Sequence, residues 1–114
     1  MFISGGENIN PLIIEEQLRQ FPGINEVVLV GLDDEKWGQR GVLLYEAKEN
    51  SGKTFQDEFK NFAHSSLHPY LVPKSFFECS LRHLGLKPKR SELKLKALEL
   101  YTKSLFSYDY LENK

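Results

Sequence analysis

The amino-acid sequence predicts an α+β fold, a small and mainly three-stranded sheet packed with about three helices. Three observations carry that expectation. Apolar residues recur at i, i+4, i+7 in Ile14, Leu18 and Phe21, and again in Phe55, Phe59 and Phe62, the spacing that lines one face of a helix. Residues 26–32 (EVVLVGL) form a continuous β-branched and aliphatic run, typical of a strand covered on both faces, and residues 41–47 (GVLLYEA) read as its pairing partner. Proline, glycine and short polar residues separate these segments.

Each element follows from local chemistry. Ser4-Gly5-Gly6-Glu7-Asn8, with no strand expected ahead of it, reads as a flexible turn or as backbone that passes close to a ligand, because no Cβ intervenes. Asn10-Pro11 opens the first helix: Asn is a good N-cap, and Pro at the first helical position gives up an amide that lacks a partner anyway. Pro22-Gly23 ends it. Residues 33–38 are expected as a polar loop between the two strands, and Asn50-Ser51-Gly52 as a turn after them. Thr54 is expected to cap the second helix, with Asp57 completing an imperfect capping box and Ala63 and Leu67 extending its apolar stripe. Pro69 and Pro73 exclude a regular helix over 68–73. Residues 75–79 (SFFEC) read as a third short strand, and 80–90 as a polar, basic loop. Ser91 and Glu92 start a last helix that carries Leu93, Ala97, Leu100 and Tyr101. Residues 106–114 read as a frayed tail, so the domain is expected to span 1–105.

The totals narrow the function classes. A chain of 114 residues fits one domain, and at this size only a moderate fraction of its surface is buried, so docking on another domain would help it. With 15 Lys+Arg against 16 Asp+Glu, the molecule as a whole has no electrostatic bias toward nucleic acid or anionic lipid. A single cysteine, Cys79, cannot form an internal disulfide, and a cytoplasmic location is the natural expectation. No apolar run is long enough to span a membrane. Met1 runs almost directly into the glycine pair, which suggests a piece of something larger.

Two segments could carry chemistry. One is Ser4-Gly5-Gly6-Glu7, which lacks the spacing of a dinucleotide-binding or Walker loop. The other is Gly85-Leu86-Lys87-Pro88-Lys89-Arg90, where a lysine two residues past a glycine can extend a long ammonium into a neighbouring site, Pro88 keeping Lys87 out of a helix. The competing readings of the second are a solvated basic run or a nucleic-acid patch built on Lys87, Lys89, Arg90, Lys94 and Lys96. Glu92 and Glu99 interrupt that patch, and no aromatic platform is interleaved. Asp33-Asp34-Glu35 has no calcium-loop spacing and reads as a solvated turn. His64, His68 and His83 offer no recognisable zinc set, Trp37 reads as a packing residue, and Cys79 as a core thiol.

Taken in order along the chain, these segments resemble the C-terminal domain of adenylate-forming enzymes, the family of acyl-CoA synthetases, peptide-synthetase adenylation domains and luciferases. The matching residues are Ile3-Ser4-Gly5-Gly6-Glu7-Asn8-Ile9, Pro11 with Glu15-Glu16, Pro22-Gly23-Ile24 and Val28-Leu29-Val30-Gly31. They continue through Asp34-Glu35-Lys36-Trp37-Gly38, Pro69-Tyr70-Leu71-Val72-Pro73 and Gly85-Leu86-Lys87, over about the first 95 residues. Asp33 stands where the family loop usually has proline. The common ending Pro-x-Thr-x-x-Gly-Lys is absent, and one residue separates Gly85 from Lys87. That ending, with Arg90, Leu93 and Lys94 after it, looks like the one found in o-succinylbenzoate-CoA ligases of menaquinone synthesis.

The resemblance implies a mobile domain that serves a two-step, AMP-forming ligation of a carboxylic acid to CoA. It implies that Lys87 is the catalytic lysine of adenylation, with Gly85 and Arg90 supporting its loop, and that Ser4, Gly5, Gly6 and Glu7 line the CoA channel. No metal ligand is implied within the chain. ATP and Mg2+ would be bound mainly by a large N-terminal AMP-binding domain, the chain's expected partner together with CoA and an aromatic carboxylic acid. The hinge is expected just before Met1, and the isolated domain is expected to be inactive. The alternatives are the same domain of another acyl- or aryl-CoA synthetase, and a non-catalytic nucleic-acid-binding module.

Overall fold

A computed structural model describes residues 1–49, 52–81 and 90–112, and in the last stretch the side chains of 91–105. The order of elements is β1 (Phe2–Ser4), β2 (Glu7–Ile9), α1 (Pro11–Leu18), β3 (Ile24–Asp34), β4 (Gly38–Ala47), α2 (Gly52–Ser66), a 3-10 turn (Pro69–Leu71), β5 (Ser75–Glu78) and α3 (Arg90–Glu112). The expected α+β architecture is present: a three-stranded sheet in the order β3-β4-β5, three helices, and a separate two-stranded hairpin of β1 and β2.

β3 and β4 pair antiparallel from Ile24↔Ala47 to Asp34↔Gly38, whereas β5 joins β4 parallel, Val42↔Ser75 to Tyr45↔Glu78. A parallel neighbour needs a crossover, and α2 supplies it. Strand alternation sends Val27, Leu29, Leu43, Tyr45 and Phe76 to one face, where they meet Ile14 and Leu18 of α1 and Phe59 and Ala63 of α2. Val30, Leu32, Val42 and Leu44 point to the other face and pack on Leu81 and on Leu93 and Ala97 of α3. The continuous apolar runs of the sequence are therefore explained: β3 and β4 are both covered on their two faces.

β3 is an edge strand, and two of its amides, those of Val27 and Leu29, are met by side-chain carboxylates. Buried Glu15 of α1 accepts from the Leu29 amide (2.8 Å), and Glu26 accepts from Val27 (2.9 Å) while pairing with Arg19 (2.8 Å). Asn10 caps α1 as expected, its side chain accepting from Leu12 (3.1 Å) with Pro11 at the first position.

Several local expectations are corrected. A strand does precede the glycine pair: β1 folds back on β2, so Gly5-Gly6 is a hairpin turn and not a loose lead-in to a helix. α1 ends at Leu18, and Phe21 reaches the core from beyond it. Within residues 33–38 the turn is confined to 35–37, and 33, 34 and 38 are strand, because the ladder continues to the Asp34↔Gly38 pair. Thr54 lies inside α2, which already starts at Gly52; Asn50 and Ser51 are outside the described residues. Arg90 is the first residue of α3 rather than the end of a loop, and that helix runs on to Glu112, through positions where a frayed tail is expected.

Candidate functional site

The hairpin tip gathers the four residues expected at a CoA channel. β1 and β2 pair as Phe2↔Ile9, Ile3↔Asn8 and Ser4↔Glu7, leaving two residues for the turn. Gly5 and Gly6 have φ of +57° and +83°, left-handed at both central positions, the requirement of a type I′ turn that favours glycine. Gly5, Gly6 and Glu7 are exposed at the tip, and Ser4 turns inward. The tip is tied down on one side: the Gly5 amide donates to the Trp37 carbonyl (2.9 Å) and the Ile3 amide to Gln39 Oε1 (3.3 Å). The Trp37 ring lies so close that a Cβ on Gly5 would stand 3.2 Å from it.

Trp37 is thus a packing residue with an exposed margin. The ammonium of Lys74 lies 4.3 Å and that of Lys36 4.9 Å from the ring centroid, within cation–π range. Asp34 shapes this turn. Its Oδ2 accepts from the amides of Lys36 (3.1 Å) and Trp37 (2.9 Å), and its Oδ1 pairs with Arg40 at 3.5 Å. Arg40 in turn donates to Ser75 Oγ (3.2 Å) and lies 5.0 Å from the Tyr101 ring centroid, joining the turn to β5 and α3. So Asp34 is a structural tie, where the sequence suggests only a solvated acidic turn.

Between the hairpin and residues 70–74 runs a cleft lined by Phe2, Ser4, Ile9, Leu29 and Gly41, with a cavity volume of about 10 Å³, room for about one water molecule. It cannot enclose a substrate. What the hairpin offers is an edge that a second surface would complete.

The expected adenylation lysine, Lys87, and Gly85 lie outside the described residues; Arg90 is placed only as the first residue of α3. The two ends of that segment are nevertheless well anchored. Leu81 and Leu93 both enter the cluster beneath α3. Glu46, buried near the end of β4, accepts from the Leu81 amide (2.9 Å) and Ser80 Oγ (3.2 Å), and also bonds the Asn25 amide group. A carboxylate so placed holds the chain just before residue 82 with charge-assisted bonds. Glu46 escaped the sequence reading; the available signal was an acidic residue inside the apolar run GVLLYEA.

The remaining candidates have ordinary explanations. Cys79 follows β5, its amide donating to the Tyr45 carbonyl (2.9 Å), and its thiol pKa is raised chiefly by burial, which favours the protonated thiol. The Tyr45 hydroxyl is buried without a hydrogen bond, Gln56 beside it donating to the Phe76 carbonyl (3.3 Å). Its pKa is pushed up to about 12, first by burial and then by the Glu78 carboxylate, with Gln56 opposing. In α3, Glu99 interrupts the basic run by pairing with Lys103 (3.1 Å) and Lys96 (3.9 Å). Among the described residues no His, Cys, Asp and Glu cluster could hold a metal ion, and no helix is long and apolar enough to cross a membrane.

Comparison with known proteins places this architecture. The model of the AMP-binding enzyme C-terminal domain matches residues 13–83, and the chain belongs to that family. It is 40% identical over 96 residues to a 2-succinylbenzoate–CoA ligase of Bacillus cereus (strain ATCC 10987 / NRS 248), covering 82% of this chain and 19% of that protein. The o-succinylbenzoate CoA synthetase of Bacillus subtilis, solved with its acyl-adenylate intermediate, superposes with a TM-score of 0.67 at 30% identity over 81% of this chain and 19% of the synthetase. A fatty acyl CoA synthetase of Mycobacterium tuberculosis gives a TM-score of 0.70, also at 30% identity, over 84% of this chain and 19% of that one. The chain therefore spans about a fifth of the length of the relatives it matches.

Proposed function

We propose that this chain is the mobile C-terminal domain of a cytoplasmic, ATP-dependent acid–CoA ligase acting on o-succinylbenzoate in menaquinone synthesis. The observation that carries the reading is the similarity to a 2-succinylbenzoate–CoA ligase over four fifths of this chain. In such a ligase a carboxylate oxygen attacks the α-phosphorus of ATP, forming an acyl-adenylate and releasing pyrophosphate. The CoA thiol then attacks the acyl carbon and AMP leaves.

The first step gathers negative charge at phosphorus, and fixed positive charge offsets it. Lys87 is assigned that role: a compact ammonium on a flexible stem, carried by a segment whose ends are anchored at Leu81 and Leu93. For the second step, rotation of the domain presents the hairpin edge instead. Gly5 and Gly6 let the pantetheine arm pass close to main chain, and Lys36 and Lys74 set two cations near the rim, suited to a phosphate-bearing thiol. ATP and Mg2+ are assigned mainly to a large N-terminal domain, as membership of this family implies.

Two measurements test this. In the full-length ligase, Lys87→Ala should lower adenylate formation by about 10²–10³-fold while sparing thioester formation from supplied acyl-adenylate. Equal loss in both half-reactions would remove Lys87 from the first. The 114-residue chain alone, given ATP, Mg2+, CoA and o-succinylbenzoate, should yield no thioester; turnover would overturn the domain reading. The equal identity to a fatty acyl CoA synthetase favours one second reading, a ligase for another acid, which a substrate screen on the full-length protein separates.

A further inference from the structure

Gly31 of β3 and Gly41 of β4 face each other across the sheet. Neither has a positive φ, so backbone conformation does not ask for glycine there. Space does. A Cβ on Gly31 would lie 2.7 Å from Cγ of Phe2 and 3.0 Å from both of its Cδ atoms. At Gly41 the nearest ring atom would be Cζ at 3.5 Å, an ordinary contact. The Phe2 ring therefore lies across the pair, its root over Gly31 and its tip beside Gly41, filling a slot left by two missing side chains.

This seat matters because a lone two-stranded hairpin is marginally stable, so its position is set by what it packs on. β1 has three residues, and Ile3 points outward. The hairpin is held by Phe2, by Ile9 and by its bonds to Trp37 and Gln39. Phe2 is three residues from Gly5, and the atom that crowds Gly31 is Cγ, which rotation about χ2 leaves in place, so turning the ring about its own axis gives no relief. A methyl group at Gly31 must either swing the whole ring out of its seat about χ1 or lift β1, and both loosen the hold on the hairpin.

We propose that Phe2, seated over Gly31 and Gly41, is a positioning residue for the thioester-forming step: it fixes where the Gly5-Gly6 tip stands at the CoA passage without touching CoA. The inference rests on the ligase reading above. Misplacement of a passage wall by about 1 Å can cost about 10²-fold in rate, and adenylation, assigned above to Lys87 rather than to the hairpin, should be spared.

The test uses the full-length ligase, with adenylate formation followed by pyrophosphate release and thioester formation followed from supplied acyl-adenylate and CoA. Gly31→Ala should lower kcat/KM for CoA by about tenfold or more while adenylation stays within about twofold. Gly41→Ala adds the same methyl where there is room and should leave both steps near those of the unmodified enzyme. Phe2→Ala should also slow the second step, and Phe2→Ala/Gly31→Ala should be no worse than Phe2→Ala alone, because the added methyl then meets no ring. Amide hydrogen exchange in the peptide covering residues 1–10 should quicken in Gly31→Ala and not in Gly41→Ala. Equal loss of both half-reactions, equal harm from the two alanines, or quickened exchange with unchanged CoA kinetics would each overturn the proposal. If the unmodified enzyme made neither adenylate nor thioester, the ligase reading would fall and the functional half of this inference with it. The exchange contrast would then decide alone whether the ring seats the hairpin.

Discussion

The fully buried rings gather on one face of the sheet, among aliphatic chains such as Ile14, Leu18 and Leu43, whereas the buried core of the other face is aliphatic throughout, with Phe77 and Tyr101 at its margin. Under α1 and α2, Phe59 sits 5.1 Å from Tyr45, 5.3 Å from Phe21 and 5.8 Å from Phe76, centroid to centroid. Under α3 the contacts come from Val30, Leu32, Val42, Leu44, Leu81, Leu93 and Ala97. The difference teaches what each face has to support. The aromatic face carries the hairpin and must hold a small element in one place, for which large rings with few rotatable bonds are suited. The aliphatic face holds the two ends of the segment that bears Lys87, and there a buried carboxylate, Glu46, adds direction to packing that has none of its own.

The sharpest way to break this contrast is at the centre of the rings. Phe59→Ala removes a fully buried side chain with edge and tilted contacts to several neighbours and should cost about 3–5 kcal/mol in urea unfolding. A cost below about 1 kcal/mol would mean that the aromatic face is not the main anchor.

A smaller effect is expected at Glu46. Glu46→Ala leaves the Leu81 amide without this acceptor inside the fold and should cost about 1–3 kcal/mol, with slower adenylation and a largely unaffected thioester step in the full-length ligase. Glu46→Gln keeps an acceptor and should recover part of both. Slowing of both half-reactions together would indicate that the two faces do not act separately.

The effect that is smallest near neutral pH is one of alkaline titration. The Tyr45 hydroxyl is held neutral in the fold, its pKa up at about 12 against an ordinary 10.0. The unfolded chain releases that proton first, so stability is unaffected below pH 10.0 and falls as pH rises toward about 12. Tyr45→Phe should abolish that alkaline loss at little or no cost near neutral pH, since the hydroxyl has no hydrogen bond to lose. A wild-type protein whose stability is flat from pH 10.0 to 12 would show that the ring's burial is relieved in solution.

Much of the architecture is readable in local pattern. The i, i+4, i+7 stripes place α1 and α2, the apolar runs place β3 and β4, and the Asn-Pro pair places the start of α1. These are properties of a few neighbouring residues, so short windows suffice. The motif Ser4-Gly5-Gly6-Glu7 is visible in the same way, but its hairpin is not: strands of three residues carry too little period to be recognised.

Other features exist only once distant segments meet. Gly31 looks like an ordinary strand-weakening residue until Phe2, 29 positions earlier, is laid over it. Glu46 reads as an interruption of an apolar strand until Leu81, 35 residues away, turns its amide toward the carboxylate. Hydrophobic period is written along the chain, whereas space for a ring and partners for a buried charge are set by packing between residues far apart in sequence, and only the assembled core decides them.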